Sequence, residues 1–472
     1  SSNRQSVFRI PKRKLAPFAR QLISPLPVLE FVVATNALPL PHQGYAPALV
    51  RVFDRPDDGP PLMRPPRALL PFVAVRLRGA SSTNPRYRQH PIRLEIRNGR
   101  QKPSPFDLCG FPPDDDFVLI ANYMDRSLIR DRLVYELAAP LIPCTPRTRY
   151  VEVFIRQPSE RLDETTYRGV YLAAEQIEGG PDRVPVGALA VVPSPEGLDG
   201  GGWLVERDRP GTNRPVFWVG NEPFMIVSPG ATALSHAQAD FIRTDFERLY
   251  RMIRENPRDD RLFELLDMDS FVNLMLLQEL VKNRDAFLYS AYYHRSAGGR
   301  LVAGPPWDFN LTLGNGRGLG GPEGFILQHA PCAGDLLRNP RIFRLYQARW
   351  REWRQPGGAL TDARICALVD GLVQELGPAA ARHYARYPEL LWPGYPIDFA
   401  VDYHVDTFDK NVRIVRDFLL RRARWLDGAL AAMTGPADLF SAETDLVEAE
   451  SRKSGRTWWD ENRSPPLGGD SP

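Results

Sequence analysis

Lysine is almost missing from this sequence. Six lysines stand against 54 arginines in 472 residues, so any anion the chain holds must draw nearly all its cations from arginine. Cysteine is scarce as well. Cys109, Cys144, Cys332 and Cys366 are widely spaced and form no CxxC pair, which suggests neither a zinc site nor a disulfide scaffold. No run of about 18 apolar residues occurs, so no membrane span is expected. The N-terminus lacks the charged-then-apolar pattern of a signal peptide. Because the sequence starts at Ser1, a removed leader with a secreted or cell-surface location stays open beside a cytoplasmic one. The net charge of +3 is too near neutral to argue a nucleic-acid partner, and no internal repeat is present.

What is present is a soluble globular composition, with 43% hydrophobic residues and enough length for one large core or two lobes. Residues 1–25 read as a basic, disordered arm, with Arg4, Arg9, Lys12, Arg13, Lys14 and Arg20 and no acid before Glu30. From 26 to 178 the pattern is β-rich. LEFVVA, ALVRVF, FVAVRLR and IRLEIR are short apolar or alternating runs, and RYVEVFI and YRGVYLAAE follow a helical pattern around Leu128 to Ala138. Strands are also expected at ALAVV, WLVERD and PVFWV. Helices then dominate to residue 435: Ser235 with Gln238 forms a capping box, Asp269 or Ser270 caps FVNLMLLQELV, and Thr407 begins a long helix. Residues 436–472 are polar and Pro/Gly-rich, with no sustained periodicity, and are expected to be disordered.

Two places carry chemistry. Gly79 to Asn84, between FVAVRLR and IRLEIR, is a turn of small and hydroxylated residues; such a turn lets backbone N–H groups approach a phosphate, and it also suits a plain hairpin. The stretch Lys282 to Asn315 places Asp285 before two short β runs, Leu288 to His294 and Arg300 to Gly304, and Asp308 after them. A hairpin returns its ends to the same edge, so the two acids can converge on one pocket. One would position or deprotonate a hydroxyl, and the other would hold Mg²⁺ on a nucleotide phosphate.

Six passages in order resemble the CotH family of spore-coat kinases: RGASS, PDDDFVLIANYMDRSLIRDRLVYELA, PRTRYVEVFI with YRGVYLAAEQIE, GGWLVERD, NRDAFLYSAYYHR and PPWDFNLTLGN. The resemblance covers about Phe72 to Asn315. It implies an α+β, two-lobed, atypical protein-kinase-like fold, with a β-rich N-lobe (26–178) and a mainly helical C-lobe (179–435). It implies an ATP- and Mg²⁺-dependent phosphotransferase, with Mn²⁺ as a substitute metal, acting on Ser or Thr hydroxyls of a protein substrate. Gly79, Ser81 and Ser82 would belong to the phosphate-covering turn, Glu175 to the hinge where adenine binds, Asp285 to the catalytic loop and Asp308 to the metal.

Three departures from the family pattern follow. Ser290 stands where an Asn commonly helps hold a metal, and Asn310 replaces the second acid of a WDxD pattern. The usual Pro-Lys-Lys is absent; Arg86, Arg88, Arg93 or Arg130 would supply the cation. Those departures keep two alternatives in view: a pseudokinase acting as a surface adhesin or scaffold, and a kinase fold running nucleotidyl transfer or ligation.

Overall fold

The alternating runs of the N-terminal third close into a barrel. The computed structural model describes residues 13–53, 59–79, 81–190, 201–211, 214–316, 321–400 and 405–441. Seven strands come first: β1 (Val28–Val33), β2 (Ala46–Phe53), β3 (Ala68–Leu77), β4 (Ile92–Ile96), β5 (Asp116–Ala121), β6 (Thr148–Arg156) and β7 (Tyr167–Glu175). Their order is β1-β2-β3-β4-β5-β7-β6, and β6 completes the ring by pairing in parallel with β1. Alternation fills the interior. Leu29, Phe31 and Val33 of β1, Val73 and Val75 of β3, and Ile92, Leu94 and Ile96 of β4 share one buried cluster, and closure removes the exposed edges of an open sheet.

Residues 13–25, expected in a disordered arm, pack on this barrel instead. Helix α1 (Pro17–Gln21) sets the Phe18 ring 6.4 Å from Phe154 and 5.6 Å from Tyr167, and Ala19 and Leu22 are buried in the same cluster. Apolar residues interleaved among the cations decide the outcome, since each buries area that a solvated arm would leave wet. Residues 1–12 of that arm lie outside the described residues. Helix α2 (Arg130–Ala138) connects β5 to β6 and is buried along most of its length.

A second, five-stranded antiparallel sheet comprises β8 (Trp203–Arg207), β9 (Val216–Val219), β10 (Glu222–Ser228), β11 (Ala291–Arg295) and β12 (Val302–Ala303), ordered β12-β11-β8-β10-β9. The expected strand ALAVV is not formed at Ala188–Ala190, and its remaining residues lie outside the described ones. The helices are α3 (His236–Glu255), α4 (Leu262–Leu265), α5 (Met268–Leu280), α6 (Ala333–Leu337), α7 (Pro340–Arg354), α8 (Asp362–Leu376), α9 (Pro378–Arg386), α10 (Phe408–Ala432) and α11 (Pro436–Ser441). The Ser235–Gln238 capping box forms as expected. The cap of α5 is Asp267 rather than Asp269 or Ser270; its carboxylate accepts from the Ser270 N–H at 2.9 Å. Leu439 of α11 is buried, so the segment expected to be disordered from 436 begins with a packed turn, and 442–472 lie outside the described residues.

The α+β class is as expected. The barrel interior is a cluster of its own, while Val118, Val170 and Leu172 on its outer face share a second cluster with Leu133 of α2, Leu277 of α5, Tyr346 of α7 and Leu419 of α10. Among the described residues no helix is long and apolar enough to cross a membrane.

Helix α9 shows how closely the two parts fit. His383 is fully buried and its Nδ1 accepts from the Val170 N–H at 3.2 Å. The neighbouring Gly169 has φ +80°, and a Cβ there would sit 2.8 Å from that nitrogen, so only glycine serves. Burial drives the imidazole from 6.5 down to about 3. A depressed folded pKa favours the neutral ring, so this stabilisation is complete above pH 6.5 and drains away as pH falls toward 3. Urea unfolding should therefore show the protein losing about 2 kcal/mol through this group between about pH 7 and pH 5. His383→Gln should be weaker at neutral pH but lack that slope; identical slopes in both proteins would refute the assignment.

Candidate active site

The site is built outward from α5. This helix is buried on every side from Ser270 to Leu280, its polar Asn273, Gln278 and Glu279 included, so it cannot shift without disturbing the core. Its end is pinned by a buried ion pair: Glu279 accepts from Arg422 of α10 and from the Ile326 and Leu327 N–H groups, while Arg422 also donates to the Pro322 and Gly324 carbonyls. Lys282 follows, donating to the carbonyls of Gly321 and Glu323 at 2.8 and 2.5 Å. Asn283 then orients the turn. Its side-chain oxygen accepts from the Asp285 N–H at 3.0 Å, and its amide donates to Gln278 at 2.8 Å.

The second acid arrives from the other end of the β11–β12 hairpin, held by α2. Asp131 accepts from the Phe309 N–H at 2.8 Å, and the Tyr135 ring lies 5.9 Å from Trp307 and 5.6 Å from Phe309. Arg130 braces the stretch beyond, donating to the Thr312 carbonyl at 3.1 Å and to Asp125 at 2.5 Å. Lys282, Phe287, Ser290, Asp308 and Leu313 all have left-handed φ, between +49° and +66°. Non-glycine residues adopt this conformation at a cost of about 1 kcal/mol or more, so its concentration here marks a backbone fixed by its surroundings.

Asp285, Asp308, Ser290 and Asn310 line a single cleft, which the turn residues Gly79, Ser81 and Ser82 also face. At Gly79 φ is +95° and a Cβ would strike the Ser82 hydroxyl at 2.2 Å, so the turn requires glycine. Of the other residues proposed from the sequence, Arg93 lines a neighbouring depression and the rest lie elsewhere. Arg88 pairs with Glu389 at 2.9 Å, Arg93 is tied to Asp116, and Arg130 is spent on Asp125 and the Thr312 carbonyl. Arg86 is exposed outside the cleft. Glu175 is buried between Arg147 and Arg183 and faces a different depression.

The cleft also contains groups that sequence reasoning missed. Glu206 and Asp208 lie at and just past the end of β8; Arg78 precedes the turn, Arg209 stacks 4.8 Å over Tyr289, and Asp131 reaches in from α2. A signal existed for the first two: acids at i and i+2 share one face at the end of WLVERD, after the apolar Trp203, Leu204 and Val205. Glu206 accepts from the Tyr292 hydroxyl at 2.6 Å and pairs with Arg214, while Asp208 accepts from Ser290 at 3.3 Å.

Burial raises the carboxyls of Asp131, Asp208, Asp285 and Asp308, and for Asp131, Asp208 and Asp308 neighbouring carboxylates add to it. Burial, then Asp308, pushes Asp131 up to about 8. Asp308 lies deep in the protein yet keeps its carboxyl accessible from the cleft; desolvation and the charges of Asp285 and Asp208 push it up to about 7. Desolvation and Glu206 push Asp208 up to about 6, and burial raises Asp285. The donors are all oxygen, from carboxylate, amide and hydroxyl, which suits a hard divalent cation. Among the described residues no three His, Cys, Asp or Glu side chains form a ready-made ion cage. Mg²⁺ commonly binds through one or two carboxylates plus phosphate, without such a cage.

The sign of the shift gives a test. Asp308 has a folded pKa above its ordinary 3.8, so its stabilising contribution is present below 3.8 and lost as pH rises through about 7. Without metal, Asp308→Asn should melt a few degrees above the parent near pH 8, with the gap closing toward pH 4; a lower melting temperature at both would contradict the charge account.

Comparison with curated proteins gives no match. A family model described as CotH kinase protein matches residues 75–426, a span from β3 into α10 that contains Arg78, the Gly79–Ser82 turn, Asp208, Asp285 and Asp308. That match covers most of the chain, which therefore belongs to the CotH kinase family.

Proposed function

We propose that the chain is an ATP- and Mg²⁺-dependent kinase that transfers the γ-phosphate to Ser or Thr hydroxyls of a protein. The observation that carries this reading is the meeting of Asp285 and Asp308, from opposite ends of one hairpin, in a cleft faced by the Gly79–Ser82 turn. A neighbouring depression supports it. It shares Arg78, Gly79 and Glu206 with the cleft and is lined by Leu77, Gln176, Ile177, Glu178 and Met225. An adenine there would meet Leu77, Ile177 and Met225, with the charged Arg93, Glu178 and Arg214 around it, and the backbone just after β7, one residue beyond the Glu175 expected from the sequence. The nucleotide would then lie between the barrel and the five-stranded sheet, the place a two-lobed kinase uses.

Phosphoryl transfer needs alignment and charge neutralisation more than covalent help. A bound Mg²⁺ supplies neutralisation of the phosphate charge. On the protein side, Asp308 and Asn310 offer oxygens to that ion, and Ser290, with Asp208 beside it, offers a second position. Asp285 accepts the hydrogen bond of the acceptor hydroxyl and takes its proton; its raised affinity for protons suits it as a base. The backbone N–H groups of the turn face the phosphates.

Incubation with labelled ATP, Mg²⁺ or Mn²⁺ and Ser/Thr-containing proteins should give phosphate transfer, identified by intact mass as phosphate and not nucleotide. Asp285→Ala should lower turnover by at least about 100-fold with nucleotide affinity kept. Asp308→Ala should remove the metal-dependent rise in melting temperature that ATP causes. Transfer that persists in both variants would overturn the proposal.

A further inference from the structure

The scarcity of lysine becomes a structural question once the cleft is known: which cation meets the phosphates? Lys14, Lys102, Lys282 and Lys410 are the lysines among the described residues, and none lines the cleft. Lys282 is committed to two carbonyls and Lys410 to Asp406. Arg88, Arg93 and Arg130 are committed to carboxylates. The guanidinium groups that face the cleft are those of Arg78 and Arg209.

These two arginines stand on different sides. Arg209 lies over Tyr289, and its field falls on Asp285 and Asp208, on the side of the acceptor hydroxyl. Arg78 immediately precedes the Gly79–Ser82 turn, and its N–H is fixed to the Pro91 carbonyl at 3.1 Å. Its guanidinium lies 5.0 Å over the Trp307 ring, next to Asp308. Among the described residues no carboxylate pairs with it. Arg78 also lines both the acid cleft and the depression beside Gln176 and Ile177, so it stands between the place for a base and the place for a metal. A polyphosphate chain joins those two places.

We propose that Arg78, braced on the Trp307 indole, is the cation that holds the polyphosphate of the bound nucleotide, in the role a lysine usually fills. The inference rests on the nucleotide-binding part of the proposed function. Stacking fixes the plane of the guanidinium, so its fork is set before ligand arrives and can engage two phosphate oxygens at once. A lysine at this position would keep the charge but lose both the stacking and the fork.

Calorimetric titration of the full chain with three probes tests this: MgATP, Mg-tripolyphosphate and adenosine. Arg78→Gln should weaken MgATP and Mg-tripolyphosphate about 10- to 100-fold, the effect of losing charge-assisted hydrogen bonds, and leave adenosine unchanged. Arg78→Lys should recover only part of the loss, and Arg88→Gln, outside the cleft, should bind like the parent. Parental affinity for MgATP in Arg78→Gln would overturn the Arg78 assignment and leave the kinase reading standing. An equal loss for adenosine would also overturn it, since Arg78 would then act by holding the fold. A parent protein that binds none of the three probes would overturn both.

Discussion

The burial of several carboxylates in one cleft is the constraint on which the rest of this structure depends. Asp131, Glu206, Asp208, Asp285 and Asp308 line one cleft, and a chain free to relax would separate them. Each is held from a different direction. Asp285 rides on the end of a helix with no solvent-facing side, Asp308 hangs from α2 through the Asp131 contact to Phe309, and Glu206 and Asp208 belong to the end of β8. Their burial is sustained because every support is anchored in the same core.

The anchoring is polar where it must be and apolar elsewhere. Glu279 and Arg422 are both fully buried, a pair whose desolvation cost is offset only if the remaining hydrogen-bonding capacity is filled. Backbone groups fill it: two N–H groups meet the carboxylate and several carbonyls meet the guanidinium. The pair therefore ties α5, α10 and the 321–327 segment into one support. Strain at Phe287, Ser290 and Asp308 is tolerated on that base, as expected where function sets the geometry rather than stability.

The sequence made some of this legible and hid the rest for a physical reason. Asp285 and Asp308 were readable because a hairpin is local: the spacing of two short β runs is enough to bring its ends together. The capping box at Ser235 was readable on the same ground. Closure of the barrel was not, since it rests on the parallel pairing of β1 with β6 across more than a hundred intervening residues. The arginines were hardest of all. Nothing in PRYRQHPIRLEIR distinguishes a guanidinium waiting for a phosphate from one already paired, and Arg88 finds Glu389 only through the tertiary fold. The surroundings of Glu175 were hidden likewise, because its partners Arg147 and Arg183 come from two separate loops.

With 54 arginines in the chain, almost every buried acid can find a guanidinium, and most do. What sets Arg78 apart is its place in the cleft, with its guanidinium over the Trp307 ring next to Asp308. Arg78 is also joined mechanically to the acids it would serve. Its partner Trp307 packs on Tyr135, and Tyr135 and Asp131 of α2 hold Phe309. Arg78, Asp308 and α2 are thus linked through contiguous contacts, so displacing the helix would pull Phe309 and loosen the indole under the guanidinium. The proposed role of Arg78 asks for a guanidinium set against a rigid surface, and the indole beside Asp308 is such a surface.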